Sequence, residues 1–316
     1  MFTLVFTMLE VKPGFRERYV KLIGEQGYRV FMEYNSRELR RSIRVNTLKI
    51  SIAECKRRLE RDWVLTQIPW CSEGFWVEHK KGERKDIGNT PEYQLGYYYV
   101  QEAASMIPPV VLQPQPGELV LDMCAAPGSK ATQLAQMMQN QGLLVANDYK
   151  GRRLAPLGIN LQRCGVAIAV VTLMRAQRIR LSGFDRVLLD APCSGTGAIR
   201  KSLKTLISWN PKSIKHLAGI QRGLIATAYK LLKPGGVLVY STCSLEPEEN
   251  EEVVDYLLKK FASAKLLPIE LNIKRSPPIL EFEGKCYSKA IENCLRIWPQ
   301  DNDTEGFFIA KILKTK

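Results

Sequence analysis

Two cysteines stand where chemistry is easiest to place. Cys193 lies in Leu188-Leu189-Asp190-Ala191-Pro192-Cys193-Ser194-Gly195-Thr196-Gly197, and Cys243 in Val239-Tyr240-Ser241-Thr242-Cys243-Ser244. Each sits where an apolar, strand-like run gives way to small and turn-forming residues. In an open α/β sheet that is where ligands bind. No Cys-x-x-Cys pair occurs among the eight cysteines, so a zinc knuckle is not expected, and no metal site is proposed. A thiolate is a covalent nucleophile, and Asp190, just upstream of Cys193, brings a carboxylate to the same strand end. Spacing alone does not choose between the two thiols. The plainer reading of an isolated cysteine is a buried, inert thiol. That reading is kept for Cys124, whose neighbours suggest packing, while Cys55, Cys71, Cys164, Cys286 and Cys294 are read as structural or exposed.

A second candidate site lies in Leu121-Asp122-Met123-Cys124-Ala125-Ala126-Pro127-Gly128-Ser129-Lys130, which reads as strand, tight turn and helix start. Small residues let the backbone approach a ligand, and helix-start amides hold a carboxylate or phosphate. The run is neither a G-x-G-x-x-G fingerprint nor a P-loop, so NAD and ATP fit poorly. Asp148 ends the next strand, 26 residues after Asp122, where an acid takes a ribose diol. Together these features point to a nucleoside-containing cofactor. The alternative is a helix cap at Asp148 and a plain turn at Gly128.

The surrounding elements alternate as a parallel α/β sheet requires. Strands are expected at Leu119–Met123, Leu143–Asn147, Ala167–Val171, Arg186–Asp190, Val237–Ser241 and Phe307–Ile312. Helices are expected at Ser129–Gln139, Gly151–Arg163, Ser213–Leu232 and Glu248–Phe261, the last with its acids at the favourable N-terminal end. The fold class is therefore α/β, doubly wound and mostly parallel. Residues 1–95 read as a small N-terminal α+β domain and 96–316 as the sheet domain. In the former, Gly14–Met32 reads as a helix, and Ser51 with Glu54 forms a capping box for a helix to about Asp62. Strands around Pro69 follow, and Gln101–Pro109 reads as a short helix ended by its prolines.

The net charge is +14, and it is unevenly spread. Residues 145–235 carry 16 Lys or Arg against three acids, whereas residues 1–100 carry 18 against 13. A basic stretch around Cys193 favours a polyanionic partner. Met1–Leu9 lacks a basic start and a cleavage site, so no secretory signal is expected. No apolar run reaches the roughly 18 residues that a spanning helix needs, and a reducing cytoplasmic setting is expected.

Several of these segments are similar to motifs of the Nop/Sun family of RNA cytosine-5 methyltransferases. They are Arg44–Lys49, Gln101–Ser105, Asp122–Lys130, Asp190–Gly197, Tyr240–Ser244, Pro247–Asn250, Arg296–Pro299 and Thr304–Phe308. The resemblance spans roughly residues 40–312 and implies a Rossmann-like methyltransferase sheet that uses S-adenosylmethionine. It implies that Ala125, Ala126, Pro127, Gly128, Ser129 and Lys130 embrace the methionine part, and that Asp148 holds the ribose with Arg153 nearby. Asp190 is implied at the pyrimidine edge and beside the cofactor, and Lys130 near the base or Asp190. It assigns C6 addition to Cys243 and product release to Cys193. Many relatives carry an adenine-facing Asp after the third strand, but Val171–Arg175 has none, so Thr172 or the backbone replaces it or affinity is weaker. Asn147 and Asn160 are read as structural.

The target base must be unpaired or flipped out, at a cost of a few kcal/mol. Arg152, Arg153, Arg163, Arg175, Arg178, Arg180, Arg200, Lys201, Lys204, Lys212 and Lys215 form the pool of phosphate contacts. Arg37, Arg40, Arg41 and Arg44 extend it, unless Arg44 braces the domain junction. Ser202–Trp209 reads as an irregular cover over the substrate, with Trp209 either stacking on RNA or packing the loop. Structured RNA is the expected partner, tRNA ahead of rRNA, and no protein partner is evident. A non-catalytic RNA-binding or assembly protein is the alternative of another class. Methylation of an exocyclic amine would leave both thiols without a role.

Overall fold

The computed structural model describes residues 11–82 and 86–316. The apolar stretch Met1–Leu9 lies outside the described residues. A four-stranded antiparallel sheet opens the chain: β1 (Ser42–Val45), β2 (Trp63–Gln67), β3 (Gly74–His79) and β4 (Tyr98–Val100), in the order β2-β3-β1-β4. β4 lies past residue 95, so the N-terminal sheet draws on residues beyond the expected boundary. Central β1 is buried along its whole length. The helix Ile52–Leu59 packs Cys55 and Leu59 into the core of this sheet. Ser51 caps that helix by accepting from the Glu54 amide at 3.2 Å. The capping box is only half made, because the Glu54 carboxylate turns to Arg57 and Arg58.

The larger sheet holds β5 (Leu119–Asp122), β6 (Leu143–Asp148), β7 (Ala169–Leu173), β8 (Phe184–Asp190), β9 (Leu232–Thr242), β10 (Ala264–Leu267), β13 (Leu295–Ile297) and β14 (Phe307–Lys314). A small hairpin, β11 (Glu281–Phe282) with β12 (Lys285–Cys286), stands apart. The order is β10-β14-β9-β8-β5-β6-β7, with β13 on β14. β5 to β9 are parallel to one another, and β14 joins antiparallel. Alternation explains why the central runs are apolar throughout. Val120, Leu188 and Val239 fall in one core, and Leu121, Val187, Leu189 and Leu238 in the other. Successive side chains point to opposite faces, and both faces are covered by helices. The chain runs from β5 out to β7, then returns to β8 on the other side of β5. The carboxyl ends of β5 and β8 therefore border the crevice where such sheets bind ligands.

Three expectations need correction, and the choice left open for Trp209 is decided. Pro108 and Pro109 begin the helix Ile107–Leu112 rather than ending one, because a first-turn proline lacks an N–H that would be unpaired anyway. The stretch read as the helix Glu248–Phe261 is a short turn at Pro247–Glu249, a break at Asn250 and a helix Glu251–Lys260. Glu251 and Glu252 do stand in its first turn, as expected, but Glu248, Glu249 and Glu251 are buried. Ser202–Trp209 contains the short helix Lys204–Ser208. Trp209 is packed, not poised for RNA: its indole donates to Glu246 at 3.2 Å, and its ring meets Phe15 edge-on.

The helix Pro13–Ser36, kinked at Gly24, docks on the sheet domain through Phe15, Tyr19 and Phe31 against Trp209 and Trp298. Arg44 is fully buried and reaches Ser129, Thr132, Gln133 and Gln136, so it braces the two sheets rather than holding phosphate. Arg200 is likewise internal, bonded to the carbonyls of Glu38 and Thr304. Arg163 is tied to the carbonyls of Tyr93 and Tyr98.

Arg296 on β13 grips Glu251 through two bonds of 2.8 and 2.6 Å, both groups fully buried. Removing one partner strands a buried charge, which costs about 3–5 kcal/mol, whereas replacing both with apolar groups costs far less. Arg296→Met is therefore expected to lower stability by that amount in urea denaturation, and Glu251→Leu/Arg296→Met to recover most of it. A single-variant loss under about 1 kcal/mol would refute the pair's role as a strut.

Candidate active site

The two cysteines leave adjacent parallel strands, β8 and β9, and the loops after them are stitched together. The Ala191 amide donates to the Ser241 carbonyl at 2.8 Å and the Gly197 amide to the Cys243 carbonyl at 2.9 Å. The Gly306 amide in turn donates to Gly197 at 2.9 Å. A Cβ at Gly197 would sit 2.3 Å from the Gly306 carbonyl oxygen, so only glycine lets three loops meet there. Glu249 completes the join. It accepts from the Ser194 amide at 2.9 Å and from the hydroxyls of Ser194 and Ser244.

These ties bring the Cys193 and Cys243 sulfurs to 3.4 Å. The hydrogen bond to Cys243, burial and the Cys243 charge push the Cys193 thiol well above its ordinary value. Either sulfur can donate across this contact. Cys243 lines a cavity of about 310 Å³.

Asp190, Lys130 and Phe307 line the same cavity. Lys130 donates to Asp190 at 2.7 Å and to the Ser105 hydroxyl at 3.0 Å, and Ser241 donates to the other Asp190 oxygen at 2.8 Å. Burial would lower the Lys130 ammonium, but Asp190 outweighs it and raises the group above its usual range. The lysine is thus a fixed cation, approaching Asp190 as the sequence suggested.

At the other end of the cavity, the loop Ala125–Lys130 turns through a cis peptide before Pro127 and a left-handed Gly128, φ 109°. Asn160 holds it by donating to the Pro127 carbonyl at 2.9 Å. Asn147 ties β6 to Met123 and Met174, and the Thr172 hydroxyl is taken by Asn147 at 3.0 Å. Both asparagines are structural, as expected. Asp148 is buried behind the loop, accepting from Ala126 at 3.3 Å and Lys150 at 3.0 Å and pairing with Arg153 at 3.4 Å. Arg153 itself lines the cavity. Cys124 packs against the sheet core, as read from sequence, and also lines the cavity; burial raises its thiol.

Sequence reasoning passed over Asp122, although an acid at a strand's carboxyl end is a visible signal. Asp122 lines the cavity, is 1 % exposed, and has one carboxylate oxygen with no partner. Burial and then Asp190 push its carboxyl up to about 7. An orphaned acceptor in an acid-rich pocket fits the ammonium of a methionine moiety, so the residues present suit S-adenosylmethionine. Ser105, Ser241, Glu102 and Glu305 were also missed as site residues. All four lie in motifs that had been matched without these residues being assigned a role. Arg152, Arg175, Arg178, Arg180, Lys201, Lys204, Lys212 and Lys215 remain exposed. Among the described residues, no helix is long and apolar enough to cross a membrane, and no group of His, Cys, Asp and Glu suits a metal.

A family model described as 16S rRNA methyltransferase RsmB/F matches residues 109–313. Another, the N-terminal domain of 16S rRNA methyltransferase RsmF, matches 12–103. The chain is 50% identical over 303 residues to the tRNA (cytosine(49)-C(5))-methyltransferase of Pyrococcus abyssi, covering 95% of each. It is 44% identical over 293 residues to ribosomal RNA small subunit methyltransferase F of Aliivibrio fischeri, covering 90% of this chain and 60% of that protein. The crystal structure of a methyltransferase homologue from Pyrococcus horikoshii matches with TM-score 0.86 and 40% identity over 99% of this chain and 97% of that one.

Asp122 gives a two-sided prediction. A carboxyl raised in the folded state favours folding less as pH climbs from its unfolded value to its folded one. Asp122→Asn is therefore expected to stabilise the ligand-free protein, with no gain near pH 4, a gain growing to about pH 7 and a plateau above it on the order of 2–4 kcal/mol. The same change should weaken S-adenosylmethionine binding roughly 10–100-fold by calorimetry. Unchanged affinity would show that Asp122 does not meet the ligand.

Proposed function

The chain belongs to the RsmB/F family of S-adenosylmethionine-dependent RNA cytosine-5 methyltransferases, the Nop/Sun type, and from that premise we propose the roles of its residues and its RNA class. Cytosine C5 is a poor nucleophile until a thiolate adds to C6. Cys243 is the adding thiol. The observation that carries this assignment is its place on the cavity wall beside Asp190 and Lys130, with Cys193 3.4 Å behind it and not among the lining residues. Asp190 and Lys130 hold the pyrimidine edge and offset charge that builds on the ring during addition. S-adenosylmethionine, when bound, supplies an electrophilic methyl group. Asp122, Arg153, Asp148 and the Ala125–Lys130 loop hold it. Cys193 serves the release of the methylated product.

The RNA class is drawn two ways. Both family models and the Aliivibrio relative are named for small-subunit ribosomal RNA, which favours that alternative over the tRNA preference read from sequence. One specific observation keeps tRNA as a second reading: the Pyrococcus tRNA relative matches over 95% of both lengths at 50% identity. The exposed bases of residues 152–215, with Arg37 and Arg41 on an N-terminal unit extending to Val100, form the phosphate grip. A reducing cytoplasmic setting is supported by eight cysteines that are all free thiols.

The test offers labelled S-adenosylmethionine to wild type, Cys243→Ala and Cys193→Ala with separate ribosomal and transfer RNA pools. Label is expected on cytosine C5 in one pool, with Cys243→Ala slower by at least about 10³-fold. Cys193→Ala is expected to accumulate a covalent protein–RNA adduct. Label on another atom, or undiminished transfer by Cys243→Ala, would overturn the cysteine roles; the labelled pool decides the RNA class.

A further inference from the structure

The cavity contains one acceptor that the reaction above does not use. Glu305, in the loop before β14, is 4 % exposed and lines the cavity with Cys243, Asp190 and Phe307. Its Oε1 is buried and receives no hydrogen bond. Lys201 is near it, 3.8 Å away, but that side chain is mostly exposed and the distance is too long for a hydrogen bond. A buried acceptor left open is costly, so its presence calls for a donor that arrives from outside.

The loop itself is rigid. The Glu305 amide donates to Glu102 at 3.2 Å, and Gly306 is bonded to Gly197 in the Cys193 loop at 2.9 Å. Glu102 is a second buried carboxyl, pushed up to about 8 by burial and by Glu305. Burial raises Glu305 as well, but both Glu102 oxygens already accept backbone amides, from Ser105 and Glu305, which leaves Glu305 Oε1 as the open acceptor of the two. The neighbouring acceptor is more heavily committed. Both Asp190 oxygens already receive bonds, from Lys130 and from Ser241. Lys130 donates two of its three N–H groups to Asp190 and Ser105, which leaves one for the cavity.

We propose that Glu305 is the specificity-determining residue that accepts a hydrogen bond from the 4-amino group of the target cytosine. The free Lys130 N–H then faces ring N3. Uracil offers an oxygen in place of the amine and a donor in place of N3, so it meets Glu305 acceptor to acceptor and Lys130 donor to donor. A missing or inverted polar partner in a buried site is rejected far more strongly than a missing methyl group. This inference rests on the cytosine-5 reading of the same cavity.

The test is a cycle between protein and base. A transcript of the RNA labelled above is prepared with cytidine, with uridine, or with the 4-deamino analogue (2-pyrimidinone riboside) at the target position. Single-turnover methyl transfer is measured for wild type and Glu305→Met, with S-adenosylmethionine binding as the check on folding. Loss of the amine should slow wild type at least about tenfold, and should slow Glu305→Met by less than about twofold. Glu305→Gln, which keeps the shape and adds a donor, should raise the uridine-to-cytidine ratio at least about tenfold, an effect that mere structural support would not produce. Multiplying effects in the cycle, or an unchanged ratio in Glu305→Gln, would overturn the proposal while leaving the cysteine chemistry intact. Absence of transfer to cytidine by wild type would overturn the functional reading first, and this inference with it.

Discussion

Two thiols from different strands can cooperate only if their loops cannot drift, and the buried carboxylate of Glu249 imposes that constraint. It bonds Ser194 beside Cys193, Ser244 beside Cys243, and Gln221 on the helix behind them at 3.0 Å. Burial raises this carboxyl, and its serine donors pull it back. The backbone break at Asn250 turns the side chain inward, and Asn250 bonds the Ser244 carbonyl at 2.8 Å. Glu246, Glu248 and Glu251 are buried in the same few residues, and each draws in a distant cation. Arg18 takes Glu246 and Glu248, and Arg296 takes Glu251. Burial and the two glutamates act on Arg18 in opposite directions, and the glutamates prevail. The N-terminal helix docks both through its aromatic face and through Arg18, which neutralises acids beside the cysteine loops. Fixing two sulfurs therefore recruits residues from both ends of the chain.

The molecule separates its charges. Bases lie outside, concentrated between residues 145 and 235, where phosphates meet them in water. The cavity is richer in acids: Asp122, Asp190, Glu102 and Glu305 line it with Lys130, Lys201 and Arg153. A sulfonium cofactor and an amine-bearing base suit the acids. In the proposed reading the RNA backbone meets the outer bases while a flipped base enters the cavity.

Much of this was legible in the sequence, for physical reasons. Parallel strands covered on both faces must be apolar throughout, so Val187–Leu189 and Val237–Val239 announced themselves. Turn residues after them marked the carboxyl ends and hence both cysteines, Asp190 and the Ala125–Lys130 loop. What stayed hidden depends on partners remote in the chain. Arg18 and Glu246 are 228 residues apart, and Arg200 and Glu38 are 162 apart. A buried brace such as Arg44 and an RNA-binding arginine have the same letter code, and only burial tells them apart. Trp209 was ambiguous for the same reason. The acids after Cys243 rightly marked a helix N-terminus, but their burial against Arg18 and Arg296 could not be read from local charge patterning. The orphaned oxygens of Asp122 and Glu305 are harder still, since an unmade bond leaves no trace in sequence.

The two thiols share an address but not an environment, and that difference orders the proposed reaction. The largest influences holding the Cys193 proton are its bond to Cys243 and burial, with the Cys243 charge next. The sulfurs stand 3.4 Å apart, longer than the roughly 2 Å of a covalent S–S bond, so both are free thiols within reach of each other. In the proposed order Cys243, on the cavity wall, adds first, and Cys193, close behind it, acts second. The ties from Glu249 to both loops fix that separation, so whatever happens at one sulfur is felt at the other.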